Sequence, residues 1–193
     1  MTQMTPADFE TRYREDSDPW AYETSAYERA KYEATLAACG PGPYQSAIEL
    51  GSSIAVFSAL LASRCRVLVT IDAAPTAVAS ARRRLGGRPN VTTILGSIPD
   101  AIPRRHYDLV VASEILYYLD GPRLAETLDV LHSLTRPGTR VVAVHWRPAG
   151  PERPFTAAEV HARLRAQPWL TSTPARPPAV GTDDYLLDVL ERR

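Results

Sequence analysis

The chain has 193 residues, 45% hydrophobic and 23% charged, which is typical of one globular domain with a full-size core and argues against global disorder. Its 22 basic and 22 acidic residues cancel to a formal net charge of zero, so the overall charge favours neither a nucleic-acid partner nor an anionic membrane. The two cysteines, Cys39 and Cys65, have no zinc-type spacing, which argues against a metal site or a disulfide framework.

The polar N-terminus has no apolar signal core, and no apolar run approaches the ~20 residues of a membrane span. We therefore expect a cytoplasmic protein without a membrane partner.

The first elements along the chain are helical. Pro6 predicts a helix through Tyr13. Ser25 and Glu28 form a capping-box pattern that predicts a second helix, ending near Ala38 before a Gly-Pro-Gly-Pro run.

Short apolar runs then alternate with helical segments, a pattern that predicts parallel strands joined by crossover helices. The predicted strands are Ser46–Leu50, Arg66–Ile71, Val91–Leu95, Tyr107–Ala112 and Thr139–Trp146. The predicted helices are Thr76–Leu85, Arg123–Leu134 and Ala157–Arg165. A final hairpin would pair Trp169–Thr173 with Tyr185–Leu190, and Pro174, Pro177 and Pro178 between them predict an irregular edge.

The turn after the first predicted strand has the character of a ligand-binding loop. It reads Glu49-Leu-Gly-Ser-Ser-Ile-Ala55, whereas a dinucleotide fingerprint needs glycine at positions 51, 53 and 56. Ser53 and Val56 disfavour a bound pyrophosphate. Asp72 ends the second strand, where a carboxylate either accepts ribose hydroxyls or caps the next helix, and the turn upstream favours the ribose.

These features and two further segments resemble the class I S-adenosylmethionine-dependent methyltransferases. The segment Ser113-Glu-Ile-Leu-Tyr-Tyr-Leu119 carries the general resemblance, together with the Glu49 turn and Asp72. The segments Tyr13-Arg-Glu-Asp-Ser-Asp-Pro-Trp20 and Ser25-Ala-Tyr-Glu-Arg-Ala-Lys-Tyr32 narrow it to the nodulation protein S-like N-methyltransferases, over residues 8–147.

The resemblance implies a Rossmann-like α/β fold with a mostly parallel seven-stranded sheet, helices on both faces and an N-terminal helical prelude. It implies one methyltransferase domain over residues 1–193, divided into a cap (1–44), a cofactor-binding core (45–147) and a C-terminal helix and hairpin (148–193). It also implies S-adenosyl-L-methionine as cofactor and S-adenosyl-L-homocysteine as product. The implied cofactor-binding residues are Trp20, Tyr22, Glu49, Gly51, Ser53, Asp72, Ala73, Ser97, Ile98 and Ser113. The family often has Asp where this chain has Ser97, and Asp100 is a candidate replacement.

Three residues are candidates for contact with the methyl acceptor. Glu114 follows one buried strand and His145 ends another, both at the carboxyl edge where open α/β sheets bind ligands, and either one is a candidate proton acceptor. Tyr117 follows Glu114 in the same segment. His106, His132 and His161 are interpreted as surface residues, and the four histidines are too scattered for a metal site.

The resemblance implies methylation of an amine, and we expect that amine on an amino sugar or a glycosylated natural product. The partner would be a small-molecule or oligosaccharide amine, not a nucleic acid. Because no long insertion separates the later strands, only the prelude would cover the cleft, which favours an open acceptor site. The alternatives are an O- or C-methyltransferase of a small secondary metabolite and a non-catalytic nucleoside-binding module.

Overall fold

The structure is a computed structural model that describes residues 3–173 and 184–193. Its helices are α1 (Pro6–Glu15), α2 (Ala26–Cys39), α3 (Val56–Leu61), α4 (Pro75–Arg84), α5 (Gly121–Leu134) and α6 (Ala157–Arg165). Its strands are β1 (Ala47–Leu50), β2 (Leu68–Asp72), β3 (Val91–Leu95), β4 (Tyr107–Ser113), β5 (Thr135–Trp146), β6 (Leu170–Ser172) and β7 (Tyr185–Arg192). The predicted elements are all present, and the irregular edge predicted at Pro174, Pro177 and Pro178 lies outside the described residues.

Capping residues account for the start of the two N-terminal helices. In α1, the Thr5 hydroxyl accepts the Asp8 N–H and the Asp8 carboxylate accepts the Thr5 N–H, which is a complete capping box. In α2, the Ser25 hydroxyl accepts the Glu28 N–H, but the Glu28 side chain does not complete the predicted box. Its carboxylate accepts a hydrogen bond from Lys31 instead.

The seven strands form one sheet in the order β3-β2-β1-β4-β5-β7-β6. The five strands from β3 to β5 are parallel, whereas β7 is antiparallel to both of its neighbours. The strand order reverses between β1 and β4, and ligands of open α/β sheets bind at such a point. The turn after β1 and the segment after β4 therefore emerge side by side.

Each face of the sheet is covered by helices, because the central strands are apolar on both sides. On one face, Ile48 and Val110 pack with α5 and α6 through side chains such as Leu128 and Leu164. On the other face, residues such as Val111 pack with the side chains of α2 and α3. No helix within residues 3–173 and 184–193 is long and apolar enough to cross a membrane.

Strand β5 is the element whose predicted start differs most from the structure. It begins at Thr135, four residues before the predicted Thr139, and its pairing with β4 shifts register between Tyr107 and Leu109. The Pro137-Gly138 pair lies inside this irregular strand, where Gly138 adopts a φ of +88°.

Candidate functional site

A cavity of about 780 Å³ opens at the carboxyl edge of the parallel strands. Its walls come from the segments that follow β1, β2, β3 and β4, and α1, α2 and the loop between them line its other side. The volume lies within the ~300–1,000 Å³ range of small-molecule sites. Every predicted site residue except His145 lines this cavity.

The turn after β1 brings the backbone close to the segment after β4. Gly51 has a φ of +72°, and a β-carbon built there would lie 2.9 Å from the Ile115 Cβ, so only glycine fits. Ser53 and Ala55 also adopt left-handed conformations, with φ of 50° and 63°. The turn thus keeps a conformation that favours glycine at two positions where this chain has side chains.

Glu49, the residue before the last of β1, is an almost wholly buried carboxyl that lines the cavity. Burial, with a smaller contribution from nearby Asp72, raises the pKa of Glu49 to about 8. Among the described residues, neither Glu49 Oε2 nor the neighbouring Ser52 hydroxyl has a hydrogen-bond partner. Unsatisfied buried polar atoms that face a cavity indicate a missing polar ligand.

Asp72 is held in place by the backbone on both of its oxygens. Oδ2 accepts the Ser53 N–H at 2.7 Å and Oδ1 accepts the Ala74 N–H at 2.9 Å. Burial raises the pKa of Asp72, against these hydrogen bonds. These two hydrogen bonds link the turn after β1 to the residue that precedes α4. Each oxygen keeps a second lone pair, so the carboxylate can still accept hydrogen bonds from a ligand.

The loop after β3 contributes Ser97 and Ile98 to the cavity wall, next to Ala73 from the end of β2. Asp100 does not replace an acidic residue at position 97. Its side chain is 68% exposed, pairs with Arg123 at 2.6 Å and does not line the cavity, although Arg123 does.

A cluster of aromatic side chains from the N-terminal region forms the opposite wall. The Trp20 ring stacks on Tyr22 with a centroid distance of 5.7 Å and meets Tyr13 edge-on at 5.5 Å. The Tyr13 hydroxyl is hydrogen-bonded to the Ser53 hydroxyl, so α1 is tied to the turn after β1. The sequence did not single out Tyr13, although its position on the α1 face shared with Phe9 was a usable signal.

Glu114 lies directly after β4 with a φ of 56°, an unusual conformation for a residue other than glycine. Its Oε1 accepts a hydrogen bond from Lys31 Nζ at 2.8 Å. Its Oε2 accepts hydrogen bonds from the Tyr117 hydroxyl and from the Trp146 N–H, the latter at 2.9 Å. Lys31 is a site residue that the sequence did not reveal, because it comes from a distant helix.

The prediction that His145 contacts a substrate is wrong. The side chain is completely buried behind the cavity wall, where Nε2 accepts the Leu116 N–H at 3.2 Å and Nδ1 lies 3.0 Å from His161 Nε2. Burial, followed by the neighbouring His161, holds the pKa of His145 well below 6.5, so the ring is neutral at pH 7. His161 was interpreted as a surface residue and is also fully buried, 3.0 Å from Asp188.

The segment between β5 and α6 also borders the cavity, so the prelude is not its sole cover. Glu152 pairs with Arg12 of α1, and its carbonyl accepts the Met4 N–H at 3.1 Å. The Arg153 guanidinium lies 4.7 Å from the Tyr117 ring centre and 5.2 Å from that of Trp146. The acceptor site is therefore less open than predicted. The segment between β5 and α6 narrows it, and this segment is too short to be recognised in the sequence as an insertion.

The ionisable side chains of the cavity form no metal site. No group of three or more His, Cys, Asp or Glu side chains in residues 3–173 and 184–193 could hold a metal ion. The chemical resources of the cavity are carboxylates, the Lys31 ammonium, the guanidinium groups of Arg12, Arg123 and Arg153, hydroxyls and aromatic rings.

Comparisons with known proteins show the family and the fold of the chain. A nodulation protein S of Sinorhizobium fredii is 30% identical over 118 residues (61% of this chain and 54% of the relative), and one of Rhizobium tropici is 28% identical over 138 residues (70% and 58%). The chain thus matches little more than half the length of these relatives. The crystal structure of the N-methyltransferase NodS from Bradyrhizobium japonicum WM9, in complex with S-adenosyl-L-homocysteine, superposes with a TM-score of 0.85 at 23% identity, covering 98% of this chain and 99% of the other.

That superposition shows that the chain has the Rossmann-like methyltransferase fold. The family model described as Nodulation protein S (NodS) matches residues 3–149, about three quarters of the chain. The chain belongs to the nodulation protein S family.

Proposed function

We propose that this protein is an S-adenosylmethionine-dependent methyltransferase that methylates an amine. The observation that carries the proposal is the cavity at the strand-order reversal, where Asp72, Gly51 and the partnerless oxygen of Glu49 meet in a chain of this family. The N-methyltransferase NodS from Bradyrhizobium japonicum WM9, whose crystal structure contains S-adenosyl-L-homocysteine, has the same fold.

The residues present fit such a cofactor. Asp72 has lone pairs left for the two ribose hydroxyls, and its orientation is fixed by Ser53 and Ala74. Glu49 and Ser52 offer buried acceptors to the amino group of the methionine portion. Ala73, Ser97 and Ile98 would border the adenine.

The bound cofactor supplies a methyl group that a sulfonium already activates. Trp20 and Tyr22 line the cavity with aromatic rings, and aromatic rings attract a cation when water is excluded. The remaining task of the protein is to orient the amine and to hold it without its proton, and orientation can supply most of the acceleration.

Glu114 is the group that would take the proton from the amine. Lys31, Tyr117 and the Trp146 N–H occupy three of its acceptor positions and leave one on Oε1. The Tyr117 hydroxyl orients the Glu114 carboxylate. Tyr117 is therefore a positioning residue, whereas Glu114 would contact the substrate directly.

We further propose that the amine belongs to an amino sugar or a glycosylated natural product. The cavity reaches Trp146, whose ring is 41% exposed, and Tyr118. These aromatic surfaces suit the flat, partly apolar face of a sugar ring.

Calorimetric titration with S-adenosyl-L-homocysteine tests the cofactor assignment. We expect Asp72→Ala to weaken binding by about 2 kcal/mol, the contribution of a charged acceptor to two hydroxyls. The control Asp129→Ala removes an exposed carboxylate of α5 and should bind like the wild type. A wild type that does not bind would contradict the proposal.

Transfer of a labelled methyl group to D-glucosamine, with D-glucose as the matched acceptor without an amine, tests the reaction. Methylation of both sugars would favour the O-methyltransferase alternative. Binding of the cofactor product without transfer to any amine, hydroxyl or carbon acceptor would favour the nucleoside-binding module.

A further inference from the structure

Helix α2 places three polar side chains against the cavity, next to Glu114. Lys31 Nζ lies 2.9 Å from Glu28 Oε1 and 2.8 Å from Glu114 Oε1, and 5.3 Å from the centre of the Tyr27 ring. Lys31 is the sole lysine of the chain, and its side chain is 3% exposed. We call Tyr27, Glu28, Lys31 and Glu114 the α2 cluster.

The α2 cluster holds one more negative charge than is needed to balance Lys31. One ammonium lies between two carboxylates, so the cluster has a net charge of −1 when all three groups are ionised. Burial lowers the pKa of Lys31, but the combined attraction of the Glu114 and Glu28 carboxylates is the larger effect, so the pKa of Lys31 is raised above its usual value. Burial raises the pKa of Glu28. Glu28 and Glu114 share one buried ammonium, so within the described residues one of these two negative charges has no counter-ion, and such a buried charge is costly for the fold.

Two atoms of the cluster have no hydrogen-bond partner within the described part of the chain. They are Glu28 Oε2 and the Tyr27 hydroxyl oxygen, and both atoms are buried. Glu28 as a whole is 8% exposed, and both side chains line the cavity. The cluster therefore offers an acceptor, a hydroxyl and an aromatic ring to a group that is absent from the chain itself.

We propose that the α2 cluster is a cation-binding subsite that captures the methyl acceptor as its ammonium form, with Glu28 supplying the charge that Lys31 would otherwise cancel. The ammonium donates hydrogen bonds to Glu28 and Glu114 and lies beside the Tyr27 ring. This subsite rests on the proposed function, since it places the amine next to the carboxylate that takes its proton.

The first test compares Glu28→Gln, the conservative Glu28→Asp and the control Glu33→Gln, which changes an exposed residue of the same helix. With D-glucosamine as acceptor, Glu28→Gln should raise KM about tenfold or more, whereas Glu28→Asp should recover much of that loss. The ratio of the affinities for S-adenosylmethionine and S-adenosyl-L-homocysteine should not change. A changed ratio with an unchanged KM would mean that the cluster serves the sulfonium, which overturns the proposal.

The second test needs neither turnover nor a variant. Because Lys31 is the sole lysine, a protein labelled with ¹⁵N-lysine has one side-chain ammonium resonance. In protein saturated with S-adenosyl-L-homocysteine, D-glucosamine should shift this resonance and D-glucose should not. Equal shifts with both sugars, or none with either, overturn the proposal. A shift with D-glucosamine in a protein that methylates no amine would refute the proposed function and leave the subsite standing.

Discussion

At Glu114, the backbone and the side chain act together. A left-handed conformation costs a residue with a β-carbon roughly 1–2 kcal/mol, and Glu114 adopts it at a φ of 56°. Three hydrogen bonds, from Lys31, Tyr117 and Trp146, then hold the carboxylate at the cavity. A strained residue with so many fixed contacts is typical of functional sites.

Glu49 leads to a prediction about protons. Its pKa is raised to about 8, so the free protein holds a proton on this carboxyl at pH 7. A cofactor amino group nearby would favour the ionised form, and binding of S-adenosyl-L-homocysteine should therefore release up to one proton. Calorimetry at pH 7 in buffers with different ionisation enthalpies measures the number released.

The matched variant is Glu49→Gln, which keeps the size of the side chain and removes the titrating group. We expect it to bind the product without releasing a proton. Release of the same number of protons by variant and wild type would show that another group titrates on binding.

Among the elements, α1 is joined to the core through the start of α4. Ala74, which precedes α4, provides no side-chain cap, and Glu10 of α1 takes that role. Its carboxylate accepts the Thr76 N–H at 2.9 Å and the Thr76 hydroxyl at 2.8 Å. A carboxylate at a helix N-terminus also interacts favourably with the helix dipole.

Glu10→Ala should lower the melting temperature at pH 7, because it removes the cap of α4 and the attachment of α1. The Thr76 N–H holds the pKa of Glu10 below 4.5, so folding favours the ionised form. The contribution is therefore present above about pH 4.5 and is lost as the pH falls through the folded-state pKa. Melting curves across this range, with Glu33→Ala as control, should show the gap closing in acid. A gap that persists in acid would contradict a role for the charge.

At the scale of the whole molecule, a buried chain of polar groups connects the cavity wall to the antiparallel edge of the sheet. It runs from the Leu116 N–H through His145 of β5 and His161 of α6 to Asp188 of β7. Arg165 completes it at 2.6 Å from Asp188. These polar groups lie behind the segment that contains Tyr117 and support it on the side away from the cavity.

His145 should make global stability sensitive to acid. Its pKa is held well below 6.5 in the folded protein, so the unfolded chain binds the additional proton. Its contribution is present above pH 6.5 and is lost as the pH falls, with a slope of up to ~1.4 kcal/mol per pH unit. Between pH 7.5 and 5.5, wild type should lose about 1 kcal/mol more than His145→Gln in urea unfolding.

The control for this experiment is His106→Gln, which changes an exposed histidine and should follow the wild type. Parallel losses in the wild type and in His145→Gln would show that His145 does not control the acid sensitivity.

Local signals in the chain were enough to predict the elements, and the family resemblance supplied most of the residues expected at the cavity. Proline and capping residues mark helix starts, and continuous apolar runs mark strands buried on both faces. Parallel strands end at one edge of the sheet, so side chains that follow the strands, such as Glu49, Asp72 and Glu114, were expected there. This expectation needs the topology alone and no knowledge of side-chain packing.

Contacts between distant segments were decided by the tertiary structure. Lys31 and Tyr13 reach the site from helices that precede the sheet, and although Tyr13 shares a face of α1 with Phe9, no local pattern shows which segment either side chain contacts. His145 lies at the same carboxyl edge as Glu114, but its side chain faces α6. Successive residues of a strand point to opposite faces of the sheet, and only the register of the strand decides which face His145 points to. Local propensity depends on neighbours within a few residues, whereas burial and pairing depend on which segments pack together.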